Sequence, residues 1–293
     1  MAPELSRRYV KLCDRADFDD PAFIAMLRDV APGLPPEEEV QRKLWEFTML
    51  ALYLRETGRL GEETSALGVG AGHEAILFWL ANRLGRIVAT DIYGEGDFAS
   101  GEAVGSMLDD PAAFAPFPYR RDRLEVRHMD ARRLDFPDES FDVVFSLSSI
   151  EHFGGPGDVA RAAAEMARAV RPGGCVLIAT ECFLGRHLGD WAPLHAALRV
   201  ASRGRRAPQA TLRRRAQDVF TPRELRVRIV DPSGLRLVQP LDADVSPRTL
   251  DNVTRIDGAG GLEPATGRMW PHLVLRAQGA PWTSAFLALE KPA

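Results

Sequence analysis

Between residues 64 and 182, short apolar runs alternate with helix-forming stretches, and this alternation is the feature that most constrains the fold. The predicted strands are 64–69, 86–90, 124–128, 141–147 and 175–180. Two predicted helices, 74–84 and 158–170, lie between them. Alternation of this kind is typical of a parallel sheet with helices on both faces. The sequence therefore predicts an α/β fold.

The remaining segments flank this alternation. Apolar residues recur at helical spacing in 21–30 and 37–56, which predicts an N-terminal helical cap that either covers a ligand pocket or packs on the sheet edge. Near the C-terminus, 235–241, 272–276 and 284–290 are predicted strands. We therefore divide the chain into a cap over 1–63 and a main domain over 64–293, with an insertion at about 183–234.

Composition excludes several classes of protein. The 293 residues carry a net charge of −4, which does not suggest a general nucleic-acid binder. The longest apolar run, 75–81, is far shorter than the roughly 20 residues that span a bilayer. Three cysteines show no CxxC pairing, and the N-terminus lacks the apolar stretch of a secretory signal. We expect a cytoplasmic protein without a transmembrane segment.

A glycine-rich turn follows the first predicted strand and begins a helix. Gly68, Gly70 and Gly72 allow the backbone to turn sharply and approach a ligand closely. The next strand ends at Asp91, about 20 residues further on, where a carboxylate can accept hydrogen bonds from two ribose hydroxyls. This pair of features predicts a site for a nucleoside-containing cofactor.

Two classes of cofactor use such a turn. Dinucleotide folds favour GxGxxG, but His73 stands here where that pattern requires its third glycine. A GxGxG turn favours S-adenosylmethionine instead. His73 either reaches the carboxylate of that cofactor or lies on the surface at the helix start.

Further motifs follow in order and carry a resemblance to a known family. They occupy 128–131, 134–146, 149–152, 169–178 and 220–225. With the glycine turn and Asp91, they resemble the class I S-adenosylmethionine-dependent methyltransferases, in particular the bacterial type 11 group, over about 64–182. The resemblance implies a Rossmann-like, seven-stranded, mostly parallel sheet whose last strand is antiparallel.

The resemblance also implies how the cofactor is held. Gly68, Gly70 and Gly72 would border its amino-acid part. Asp91 would hold its ribose, and Ile92 would pack on its adenine.

Three further residues complete the implied cofactor site. Asp130 and Ala131 would recognise the edge of the adenine ring, and Ser148 would lie beside the cofactor after the fourth strand. The product would be S-adenosylhomocysteine.

Two side chains are candidates for catalysis. His152 follows the fourth predicted strand, and an imidazole with a pKa near 6.5 can accept a hydroxyl proton at neutral pH. The alternative is that His152 only caps the turn at 153–155. Glu181, directly after the fifth strand, either orients a substrate hydroxyl or amine or pairs with an arginine.

A divalent metal is a weaker alternative. Glu151 and His152 resemble the end of the Glu-x-x-Glu-His motif of metal-binding methyltransferases, but Ser148 stands at the position of the first glutamate. We therefore predict no metal site.

An arginine-rich stretch lies within the predicted insertion. Ten arginines against two acidic residues occur between Arg199 and Arg228. They either bind an anionic acceptor or an anionic membrane surface, or form a solvated helix face. Aromatic residues are scarce in the stretch, which does not favour a nucleic-acid platform.

These observations predict a methyltransferase that acts on a small molecule or a glycan precursor at a hydroxyl group. The glycan expectation comes from a looser similarity of 150–155 and 180–182 to methyltransferases of bacterial surface-polysaccharide pathways. The rival hypotheses are a non-catalytic cofactor-binding scaffold and an NAD-dependent oxidoreductase. The sequence leaves the methylated atom and the oligomeric state open.

Overall fold

The structure, a computed structural model, describes residues 5–35, 39–185, 219–257, 261–277 and 280–293. Its strands are β1 Lys11–Leu12, β2 Ser65–Val69, β3 Arg86–Asp91, β4 Leu124–His128, β5 Phe141–Leu147, β6 Val170–Phe183, β7 Arg236–Leu237, β8 Val253–Ile256, β9 Leu262–Pro264, β10 Val274–Arg276 and β11 Trp282–Glu290. Its α-helices include α1 Pro21–Val30, α2 Arg42–Glu56, α3 Ala75–Ala81, α4 Pro156–Ala169 and α5 Pro222–Leu225. Within these ranges, no helix combines the length and apolarity that crossing a bilayer requires.

The centre of the sheet has the predicted α/β architecture. Strands β4, β3, β2, β5 and β6 are adjacent in that order and all parallel. All seven residues of β5 are buried, as expected for a strand covered on both faces. Because the chain moves outward in opposite directions from β2 and from β5, right-handed crossovers place α3 and α4 on opposite faces.

The last strand is antiparallel, as predicted, but the number of strands was wrong. β11 pairs with β6 over nine residues. Its other edge is shared by three short strands: β10 at Trp282, β1 at Ala285 and Phe286, and β7 at the C-terminal end. With β8 and β9 beyond β10, the sheet has eleven strands among the described residues rather than seven. Covering the edge of β11 in this way satisfies its backbone hydrogen bonds.

The N-terminal segment contains both predicted helices, although the second begins at Arg42 rather than at residue 37, and the segment joins the main core. Trp45 and Leu50 of α2 are fully buried in the same apolar cluster as Phe286 of β11. The segment also supplies β1, so it is not helical throughout. The division of the chain at residue 63 stays a prediction.

The predicted insertion is only partly visible, because 186–218 lie outside the described residues. A capping box lies near its end: Thr221 Oγ1 accepts the Glu224 N–H at 3.2 Å, and Glu224 Oε2 accepts the Thr221 N–H at 3.1 Å. Of the ten arginines, the structure describes Arg223, Arg226 and Arg228. Arg228 forms an ion pair with Glu224, four residues earlier in the chain. The role of the arginine-rich stretch stays a prediction.

Candidate active site

A cavity of about 490 Å³ lies at the carboxyl ends of the five parallel strands. Each of these strands contributes residues that follow or end it. The lining includes Gly70, Gly72, Asp91, Ile92, Met129, Asp130, Ala131, Arg132, Ser148, Ser149, Glu151, His152 and Glu181. The order in which strands are added to the sheet reverses between β2 and β5, and ligands bind at such a switch point in open α/β sheets.

The glycine turn needs its glycines. Gly70 and Gly72 have φ angles of +63° and +49°, which residues other than glycine rarely adopt. A Cβ on Gly70 would lie 2.7 Å from both Ser149 and Phe153, and one on Gly72 would lie 2.6 Å from the carbonyl oxygen of Glu102. Both glycines line the cavity. The backbone of this turn can therefore approach a ligand without a side chain between them.

Gly68 lies within the strand predicted over 64–69, and its role beside the cofactor stays a prediction. It belongs to β2, and a Cβ there would lie 2.9 Å from the ring of Phe145. This glycine allows close packing between β2 and β5 and is not one of the residues found to line the cavity.

Asp91 holds the glycine turn against the end of β3. One carboxylate oxygen accepts the Gly72 N–H at 2.9 Å, and the other accepts the Ile92 N–H at 2.8 Å. Burial raises the pKa of Asp91, and these two N–H groups oppose that effect. Because a carboxylate has about four lone-pair sites, acceptor capacity is left for the hydroxyls of a ribose.

The side of the cavity predicted for adenine is apolar with a charged rim. Ile92 is 37% exposed, which is high for a large apolar residue, and it lines the cavity with Met129. Asp130 is paired with Arg132, whose Nη2 lies 2.6 Å from a carboxylate oxygen. Hydrogen bonds from Arg132 hold the pKa of Asp130 below its usual range. Arg132 was not among the site residues predicted from the sequence.

A buried polar network connects α2 with the ends of β5 and β11. Glu46 is fully buried, and its Oε1 accepts hydrogen bonds from Ser148, at 2.7 Å, and from Ser284. Ser284 in turn accepts a bond from Arg42 at 3.2 Å, and Lys43 lies 3.6 Å from Glu46 Oε2. Ser148 therefore lines the cavity, while its hydroxyl is committed to Glu46. Its position beside the cofactor stays a prediction.

Two cations from the start of α2 reach the cavity and are engaged there. Arg42 forms an ion pair with Glu181 at 2.9 Å. Lys43 lies 2.5 Å from Glu74 and donates to the carbonyl of Leu147 at 3.1 Å. Burial opposes the charge on Lys43, but Glu74 and Glu46 together raise its pKa. The N-terminal segment thus contributes to the pocket wall.

Each of the two candidates for catalysis contacts a defined neighbour. His152 is exposed at the rim, with its ring 4.8 Å from that of Phe98. Glu181 pairs with Arg42, one of the two alternatives stated above. His73 lies elsewhere: its Nδ1 bonds to the carbonyl of Glu102 at 2.8 Å, outside the lining of the cavity.

Glu151 occupies the inner part of this site. It is 4% exposed, and its Oε2 accepts a bond from Thr180 at 2.8 Å. Burial and the nearby Glu181 raise its pKa to about 8. No group of three or more His, Cys, Asp or Glu side chains arranged to hold a metal ion occurs in the part of the chain that the structure describes.

The fold and this cavity suit a nucleoside-containing cofactor, and a comparison with known proteins finds a matching domain family. A family profile described as "Methyltransferase domain" matches residues 67–178, from the glycine turn to the middle of β6. Residues 67–178 are therefore similar to a methyltransferase domain, a class of domain that takes S-adenosylmethionine as its cofactor.

Two curated relatives match part of the chain. A phosphatidylethanolamine N-methyltransferase of Cereibacter sphaeroides is 42% identical over 74 residues, 25% of this chain and 34% of that protein. A probable S-adenosylmethionine-dependent methyltransferase of Mycolicibacterium smegmatis is 35% identical over 114 residues, 37% of this chain and 43% of that protein. The chain thus spans less than half the length of either relative.

The solved structures to which the chain is similar share less of its sequence than these two relatives do. The chain is similar to the YcgJ protein of Bacillus subtilis, with a TM-score of 0.47 and 14% identity over 83% of this chain and 98% of that one. A methyltransferase of Methanosarcina mazei gives a TM-score of 0.45 and 15% identity over 80% and 95%.

Proposed function

We propose that this protein transfers the methyl group of S-adenosylmethionine to a small-molecule acceptor. The observation that carries the proposal is the convergence of the glycine turn, Asp91 and the segment 129–131 on one cavity beside an inner group of carboxylates. Asp91 would hold the ribose, Ile92 the adenine, and Asp130 with Ala131 the adenine edge. Bound there, the cofactor supplies an activated methyl group.

The protein's own contribution is mainly to position the acceptor. Holding two reactants in line can supply about 7–11 kcal/mol of the barrier reduction. We propose His152 and Glu181 as acceptor-side residues, because both line the cavity next to Ser148 and Glu151. A hydroxyl of a small molecule or glycan precursor stays the acceptor predicted from the sequence. A nitrogen is the second candidate, because one relative is named for transfer to nitrogen.

The charge of the cavity bears on the acceptor. Among the described lining residues there are seven carboxylates, Glu74, Asp91, Glu95, Glu102, Asp130, Glu151 and Glu181, against three cations, Arg42, Lys43 and Arg132. This excess does not favour the anionic acceptor suggested by the arginine-rich stretch.

Calorimetric titration with S-adenosylhomocysteine tests the cofactor site. Asp91→Ala removes the ribose acceptor and the anchor of the Gly72 N–H, and we expect binding to weaken by about 1–3 kcal/mol. The control Asp122→Ala changes the same residue type at a side chain that is 70% exposed, and should bind as the wild type does. Equal affinity of Asp91→Ala and wild type would remove the proposed role of Asp91.

The same titration addresses the rivals. Binding of NADH in place of S-adenosylhomocysteine would support the oxidoreductase. Binding of S-adenosylhomocysteine without consumption of S-adenosylmethionine in any cell extract would support the non-catalytic scaffold.

A further inference from the structure

One buried oxygen in the cavity has no hydrogen-bond partner in the part of the chain that the structure describes. Glu151 Oε2 bonds to Thr180, whereas Oε1 has no hydrogen-bond partner among the described residues. Leaving a buried polar atom without a hydrogen-bond partner is destabilising. Glu151 is only 4% exposed and lines the cavity. A ligand in the cavity can therefore supply the missing donor.

The nearby cations are already held by other carboxylates. Arg42 pairs with Glu181, and Lys43 pairs with Glu74. Neither Arg42 nor Lys43 forms an ion pair with Glu151. The donor for Oε1 therefore comes from the ligand rather than from a rearranged ion pair.

The charge balance selects the kind of donor. Seven carboxylates line the cavity against three cations. S-Adenosylmethionine has a sulfonium, an ammonium and a carboxylate, so it brings only one net positive charge. A buried carboxylate is stabilised when a charged partner is hydrogen-bonded to it. An ammonium group meets both requirements, whereas a neutral hydroxyl supplies only the hydrogen bond.

We propose that the acceptor is a small molecule with a primary or secondary amine, and that Glu151 Oε1 binds its nitrogen and takes its proton. This proposal rests on the methyl transfer proposed above. The ammonium gives one proton to the carboxylate, which becomes a carboxylic acid. The freed lone pair forms the nitrogen–carbon bond as the carbon–sulfur bond breaks and its electron pair stays on sulfur. The positive charge moves from sulfur to the methylated nitrogen, and the proton on Glu151 leaves to solvent.

The environment of Glu151 suits this proton transfer. A base is most effective when its pKa lies near the working pH, and burial with Glu181 raises the pKa of Glu151 to about 8. The charged groups that act on it are Glu181 from β6 and Glu46 and Arg42 from α2.

Calorimetry of the full chain saturated with S-adenosylhomocysteine tests the proposal. The probes are ethanolamine and benzylamine, each compared with its alcohol counterpart, ethylene glycol or benzyl alcohol. We expect each amine to bind at least ten-fold more tightly than its alcohol. Titrations at pH 7 in buffers of different ionisation enthalpy should show close to one proton released per amine bound, because Glu151 is protonated beforehand and ionised in the complex.

Glu151→Gln keeps the shape of the side chain and removes the charge. We expect amine affinity to fall about ten-fold or more and the proton release to disappear. Glu125→Gln, on β4 outside the cavity lining, is the matched control and should behave as the wild type.

The outcomes separate the two proposals. If S-adenosylhomocysteine fails to bind the wild type, the proposed methyl transfer fails. If it binds, but amines bind no more tightly than alcohols or Glu151→Gln keeps the proton release, only the amine proposal is overturned.

Discussion

Replacing Glu46 by leucine is expected to lower the free energy of unfolding by about 3–5 kcal/mol, the usual cost of removing one partner from a buried ion pair. Glu46 is fully buried and accepts hydrogen bonds from Ser148 and Ser284. It also lies 3.6 Å from Lys43 and 3.9 Å from Arg42. Leucine fills much of the space but leaves the two serine hydroxyls without their acceptor. It also removes a negative charge that lies beside Lys43 and Arg42.

Urea unfolding followed by circular dichroism measures this loss. Glu46→Gln is the matched control, because its amide oxygen can still accept from the serine hydroxyls, and it should lose less stability than Glu46→Leu. A loss below about 1 kcal/mol in Glu46→Leu would show that the network does not stabilise the fold.

Glu151→Gln is expected to be more stable than the wild type above pH 8, by about 3–5 kcal/mol. The pKa of Glu151 is raised from 4.5 to about 8 because the side chain is buried near Glu181. The stability that this group contributes is therefore fully present below pH 4.5. It is lost at about 1.4 kcal/mol per pH unit as the pH rises toward 8, and stays lost above that value.

Thermal unfolding of both proteins from pH 4 to pH 9 measures this effect. The two curves should coincide near pH 4, where Glu151 is neutral like glutamine, and should separate as the pH rises. Glu125→Gln, in which a half-exposed carboxylate is replaced, should follow the wild type at high pH. A constant difference between Glu151→Gln and the wild type would mean that Glu151 does not titrate in this range.

The cofactor side of the site could be predicted because its determinants are local in the sequence. The glycine turn and Asp91 each follow a strand that is readable from its own residues. Parallel strands place their carboxyl ends at one edge, so the sequence brings these residues together without knowledge of distant contacts.

The acceptor side could not be predicted in the same way. Glu46 meets Ser148 across 102 positions of sequence and Ser284 across 238. One indication was present: residues 44–54 of α2 are apolar nearly all round, so Glu46 and Thr48 within them had to be buried. Burial alone did not identify the partners of Glu46.

The additional strands escaped prediction for a related reason. β1 has two residues and β9 has three, which is too short for alternation of apolar and polar residues to show. They exist because β11 and β8 offer edges to pair with. Tertiary contacts, not local propensity, determine them.

The most direct test of the whole account is a crystal structure of the protein with S-adenosylhomocysteine. We expect the ribose hydroxyls within hydrogen-bond distance of Asp91, the adenine against Ile92 and the sulfur toward the end of the cavity that contains Ser148 and Glu151. A cavity at the glycine turn that stays empty or is filled by side chains, with the ligand bound elsewhere, would contradict the account.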